Sequence, residues 1–168
     1  MGINDGSRNQ VRWHSGSGWQ SVSLHPGRKE ISDHTNPLVR KLGIKVGMRA
    51  LIVGAPPVYL KLLVPLPKGV VITSTADGVH PFVQVFATSL AEISKVSANL
   101  LRHVAGGGLL WIAYPKKTSG IESDLSRDLV AEAMSRTGWR PVSIIAIDEI
   151  WSALRFRPLG DVKAKRKL

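Results

Sequence analysis

The chain has 168 residues, enough for one domain with a real core. Its 23 Lys and Arg against 12 Asp and Glu give a net charge of +11, which favours acidic partners. It has no cysteine, which excludes a disulfide framework, a thiolate metal site and a cysteine nucleophile.

The excess charge is concentrated at the ends. Residues 1–49 carry eight basic and three acidic side chains (+5), residues 50–150 nine and eight (+1), and residues 151–168 six and one (+5). The last stretch, with Lys163, Lys165, Arg166 and Lys167, reads as a polybasic tail over residues 160–168 that either contacts nucleic-acid phosphates or stays solvated. Residues 1–10 contain no apolar leader. The most apolar run, Val104 to Tyr114, includes three glycines and is shorter than the ~20 residues that span a bilayer, so a cytoplasmic protein without membrane contact is expected.

Residues 1–36 are rich in Ser, Gly, Asn and His and show no period of 2 or 3.6 residues, so they read as a flexible arm preceding a domain over residues 37–159. Ala50 to Gly54 is a short apolar run closed by glycine, the pattern of a buried strand. Pro56, Pro57, Pro65 and Pro67 limit the next segment to a short helix within Val58 to Val64. Gly69 to Thr73 reads as a second strand ahead of an Asp77-Gly78 turn, and Phe82 to Thr88 as a third. Ser89 and Glu92 form a capping box that starts a helix, with Leu90, Ile93, Leu100, Leu101 and Val104 inward and Gly106 to Gly108 as its stop.

Leu109 to Tyr114 is a fourth strand. A second helix is expected from about Ser123 to Thr137, with Leu125, Leu129, Val130 and Met134 inward and Gly138 past its end. Val142 to Ile147 and Trp151 to Phe156 follow as two strands, too close for a crossover and therefore antiparallel. Strands alternating with helices predict an α/β, Rossmann-like, mostly parallel sheet with helices on both faces and a C-terminal antiparallel strand pair.

Leu42 to Arg49 before a strand, Gly106 to Ile112 after a helix, and the closing antiparallel pair resemble the sheet of class I S-adenosylmethionine-dependent methyltransferases. More narrowly, Lys41 to Pro57, Phe82 to Thr88, LWIAYPKKTSGIESD (Leu110 to Asp124) and AIDEIWSALRFR (Ala146 to Arg157) resemble a small bacterial family of unknown function. The resemblance covers residues 37–158 and implies a truncated methyltransferase-like fold, with no activity attached.

Methyltransferases of this class hold their cofactor on a glycine-rich turn after the first strand, because glycine lets the backbone approach the ligand. Here that turn is Gly54-Ala55-Pro56-Pro57, and the two prolines remove two amide donors. No cofactor is therefore expected, S-adenosylmethionine being disfavoured. Asp77, 23 residues after Gly54, lies about where a carboxylate takes ribose hydroxyls; as half of an Asp-Gly pair it reads more simply as a turn residue.

The carboxyl ends of the strands gather a candidate ligand edge: Gly54, Ala55, Asp77, Lys116, Lys117, Thr118, Ser119, Asp148 and Glu149. The two lysines with the following hydroxyls suit a phosphate or carboxylate on a small molecule or partner protein. Asp148 and Glu149 are either an acid–base pair or hairpin residues. The five histidines show no metal-ligand spacing, and neither a G-x-S-x-G elbow nor a phosphate-binding P-loop exists. The sequence thus reads as a methyltransferase-like domain with a degenerate cofactor loop, acting as a binding or accessory protein. An active methyltransferase and a nucleic-acid-associated protein using its basic ends are the alternatives.

Overall fold

The computed structural model describes residues 10–14, 18–22 and 36–160. The chain divides into two compact units, residues 1–75 and 76–168.

In the first unit, β1 (Gln10–His14) and β2 (Gly18–Val22) form an antiparallel hairpin in which Trp13 pairs with Trp19. Within the segment expected as a flexible arm, residues 10–14 and 18–22 pair across strands, an arrangement that the sequence, with no period along either segment, does not announce. α1 (Pro37–Leu42) follows. Asn36 caps it by accepting from the Leu38 and Val39 amides, Pro37 suits the first helical position, and Gly43 closes it at φ 89°. The same Asn36 donates through Nδ2 to the carbonyls of Leu62 and Val64, at 2.8 and 2.7 Å.

β3 (Arg49–Val53) and β4 (Val71–Thr73) pair in parallel, with Ala50 opposite Ile72, and β2 joins the far side of β4 antiparallel at Gln20 and Val71. The prolines confine α2 to Tyr59–Leu62, as the sequence predicts. Val39, Leu42, Leu51, Tyr59, Leu63 and Val70 are fully buried.

The second unit runs in the order β5, β6, β8, β7. β5 (His80–Phe86) and β6 (Val104–Pro115) are parallel, joined through α3 (Leu90–Asn99). β8 (Trp151–Pro158) is antiparallel to both β6 and β7 (Trp139–Ala146), with α4 (Arg127–Ser135) leading into β7. α3 packs on α4, and α4 on β7. Phe82, Ile93, Leu110, Ile112, Val130, Met134 and Phe156 are buried.

Here too the structure departs from the sequence reading. α3 ends at Asn99, followed by a single 3-10 turn at Leu101–His103, so Gly106 to Gly108 do not stop a helix but lie inside β6. Between the pairs His80–Val104 and Phe82–Leu109 the register advances two residues on β5 and five on β6, a bulge that these glycines form. α4 begins at Arg127, capped by the Ser126 hydroxyl accepting from the Leu129 amide, and Leu129 is exposed while Leu125 is buried. The architecture is α/β, mixed and Rossmann-like, with the expected antiparallel pair at the C-terminal end. No helix among the described residues is long and apolar enough to cross a membrane.

Candidate functional site

The carboxyl ends of β5 and β6 gather polar groups that bond to the chain itself. The predicted capping box forms: Ser89 accepts from the Glu92 amide, and the Glu92 carboxylate accepts from the Thr88 amide at 2.6 Å. Asp124 reaches back to the same helix start, accepting from the Leu90 amide at 3.0 Å, and the Ser123 hydroxyl donates to the Thr88 carbonyl at 2.7 Å. These bonds tie the segment after β6 to the end of β5.

After β6 the chain turns through a 3-10 segment, Lys117–Ser119, and Gly120 at φ 84°. Lys116 Nζ donates to the Asp148 carbonyl at 2.7 Å, and Ser119 Oγ accepts from the Ile121 amide. A cavity of about 380 Å³ opens beside this turn, lined by Pro115, Lys116, Lys117, Ser123, Asp124 and Ser126 together with Ile121, Leu125 and Leu129. Lys117 is exposed and enters no hydrogen bond or ion pair among the described residues. The cavity therefore offers the Lys117 ammonium beside the start of α4, with the Asp124 carboxylate on the same wall.

Of the predicted edge residues, the structure brings Lys116 and Lys117 to this cavity. Thr118 and Ser119 belong to the turn beside it and do not line it. Asp148 is a hairpin residue: Oδ1 accepts from the amides of both Ile150 and Trp151 at 2.8 Å, while Glu149 is exposed. Trp151 is core, its ring edge-on to Phe86 at 5.0 Å. Gly54 and Ala55 belong to the first unit and Asp77 to the second. Gly54 has φ 76° directly after β3, and Asp77 is exposed just before Gly78 at φ 74°.

Ser123, Asp124 and Ser126 are cavity residues that the sequence reading missed. It placed the helix start at Ser123, four residues early; the N-cap serine at Ser126 is the signal that would have located the segment before it. Lys163, Lys165, Arg166 and Lys167 lie outside the described residues. Among the described residues, no group of three His, Asp or Glu side chains is placed to hold a metal.

No family model and no curated protein matches this sequence, so the narrower resemblance to a small bacterial family gains no support. Solved structures do match. A SAM-dependent methyltransferase from Aquifex aeolicus aligns over 71% of this chain and 86% of its own, with 16% identity and a TM-score of 0.50. DhpI, solved as a complex with SAH, aligns over 71% and 80% with 13% identity and a TM-score of 0.53.

The fold is that of class I methyltransferases. These likenesses overturn the expectation of no cofactor, since one methyltransferase-fold neighbour is SAM-dependent and the other was solved with SAH bound. The expectation counted amide donors alone. Pro56 and Pro57 do leave Ala55 as the one amide between Gly54 and Val58. Gly54 takes a left-handed φ of 76° directly after β3, a conformation glycine adopts without strain.

Proposed function

We propose that the chain is an accessory methyltransferase-like domain that holds S-adenosylmethionine or S-adenosylhomocysteine, and whose cavity at Lys116 and Lys117 accepts an anionic group from a small molecule or partner protein. The accessory character rests on what the carboxyl edge does with its polar groups. Glu92 and Asp124 cap α3, Asp148 closes a hairpin, and Ser123 and Ser126 bond backbone. These carboxylates are already engaged with backbone amides of the fold, so none of them is left to face a substrate proton. Lys117 is the group left over, and a lysine ammonium binds anions without catalysing methyl transfer.

Calorimetric titration of S-adenosylhomocysteine into the full chain at moderate salt tests the ligand: micromolar binding supports the reading, and no heat from demonstrably folded protein refutes it. Titration of inorganic pyrophosphate tests the cavity, with Lys117→Ala expected to weaken binding severalfold and equal affinity counting against the assignment.

The second reading, an active methyltransferase, draws on Asp77, an exposed carboxylate ahead of a glycine turn and suited to ribose hydroxyls. Loss of S-adenosylhomocysteine affinity in Asp77→Ala, together with methyl transfer to an acceptor, would favour it.

A further inference from the structure

Three arginines in the second unit share one face of the sheet. Arg140 on β7 lies directly opposite Arg157 on β8, and Arg155, two residues before Arg157, lies opposite Ser143 on β7 and Trp111 on β6. Paired residues and residues two apart project from the same side of a sheet, so all three side chains leave together. That side is the one away from α4. Tyr114, three residues from Trp111 and hence on the other face, lies opposite Ser152 in the β6–β8 register and feels the charges of Arg127 and Asp128 at the start of α4.

Three like charges in this arrangement repel one another, and no carboxylate among the described residues relieves them. The ion pairs present, Arg127–Asp128 and Arg136–Glu132, are both on α4. Arg155 Nε is buried without a hydrogen-bond partner. Burial, and then the charge of Arg157, push the Arg155 guanidinium below its ordinary pKa. Arg140 is exposed, while Arg155 and Arg157 are half-buried. Unpaired guanidiniums opposite one another cost stability, and an external anion would offset that cost.

We propose that this arginine face of β7 and β8 binds the phosphate backbone of a nucleic-acid strand. Their Cα positions stand about 7 Å apart along β8 and about 5 Å across to Arg140, which spreads the three side chains over a row suited to successive phosphates. Guanidinium forks match phosphate oxygens bidentately. The sequence beyond β8 continues the same charge, since residues 159–168 hold four basic side chains and one acidic. The face lies four residues down β6 from Pro115 at the cavity, so it works independently of the function proposed above.

The test is fluorescence anisotropy of a fluorescein-labelled 20-nucleotide oligo-dT with the full chain, from 50 to 200 mM salt. Arg140→Gln with Arg157→Gln removes two phosphate contacts. It should lower the log–log salt slope by about 1.4, so that the wild type loses about sevenfold more affinity than the variant across that range. Arg140→Glu, at an exposed position that cannot unfold the core, should weaken binding further. A parallel chain with Lys163, Lys165, Arg166 and Lys167 changed to Gln measures the tail, and retained sensitivity to Arg140 and Arg157 in that chain supports the proposal. Wild-type affinity and slope in the double variant, binding carried wholly by the tail, or no binding at 50 mM salt would each overturn it. Displacement of the oligonucleotide by polyglutamate at equal charge concentration would also overturn it and assign the face to an acidic protein. Binding of S-adenosylhomocysteine should be unchanged in the Arg140 and Arg157 variants, which keeps the two proposals separable.

Discussion

Gly106, Gly107 and Gly108 are three identical letters, and alanine at each should have a different consequence. A Cβ at Gly108 would sit 2.9 Å from the Ala105 carbonyl oxygen, 3.0 Å from that of Pro81 and 3.3 Å from that of His80. All three are backbone atoms of paired strands and cannot swing aside, so Gly108→Ala is an overpacking substitution costing about 1–3 kcal/mol. Gly107 meets nothing within 4 Å but has φ 75°, so alanine there costs about 1–2 kcal/mol through the left-handed conformation. Gly106 has open space and no positive φ, so Gly106→Ala should be neutral or stabilise by about 0.4–1 kcal/mol through the unfolded chain.

Urea unfolding followed by circular dichroism measures all three, read at constant m so that the change is one of stability. In thermal melts a loss of 2 kcal/mol should lower Tm by roughly 4–8 °C for a chain of this size. The mechanisms separate further with Asn, which tolerates the left-handed region: Gly107→Asn should recover part of the alanine loss, whereas Gly108→Asn should be worse than Gly108→Ala. A Gly108→Ala protein within 0.5 kcal/mol of wild type, or Gly106→Ala as the most damaging of the three, would refute the bulge geometry.

Two more outcomes follow from single side chains. Asn36→Ala should cost about 2 kcal/mol, about 1 from the α1 cap and the rest from the two bonds to the Leu62 and Val64 carbonyls; Asn36→Asp should keep the cap but set a carboxylate oxygen against those two carbonyls, so it should still destabilise, which urea titration of both variants resolves. Burial, its largest cause, raises the Tyr114 pKa in the fold, so the stability tied to its protonated hydroxyl is complete below the unfolded value of 10.0 and declines as pH rises through the folded one. Tyr114→Phe should flatten the alkaline decline in stability above pH 10, and an unchanged profile would show that Tyr114 does not contribute.

The local signals that survive folding are those whose chemistry is complete within a few residues. The Ser89–Glu92 capping box and the Asp148 turn satisfy backbone amides with a neighbour in sequence, and the prolines around α2 limit it through their own fixed φ and missing N–H, so the residues alone determine all three. The α/β rhythm and the final antiparallel pair follow from strand and loop lengths in the same way.

What the tertiary structure decided depends on partners far along the chain. β1 and β2 exist through pairing with each other and with β4, where no run of apolar residues marks them. Gly106 to Gly108 look like a helix stop, because three glycines end a helix as readily as they form a bulge; only the β5–β6 register distinguishes the two. Asp124 comes to the α3 cap across 34 residues, which makes it a wall of the cavity beside Lys117. Arg140 and Arg157, 17 residues apart in the sequence, become neighbours through a strand register. Composition supplied the charge of this protein, and the pairing of β7 with β8, set by backbone hydrogen bonds and a bulge, decided where part of that charge is gathered.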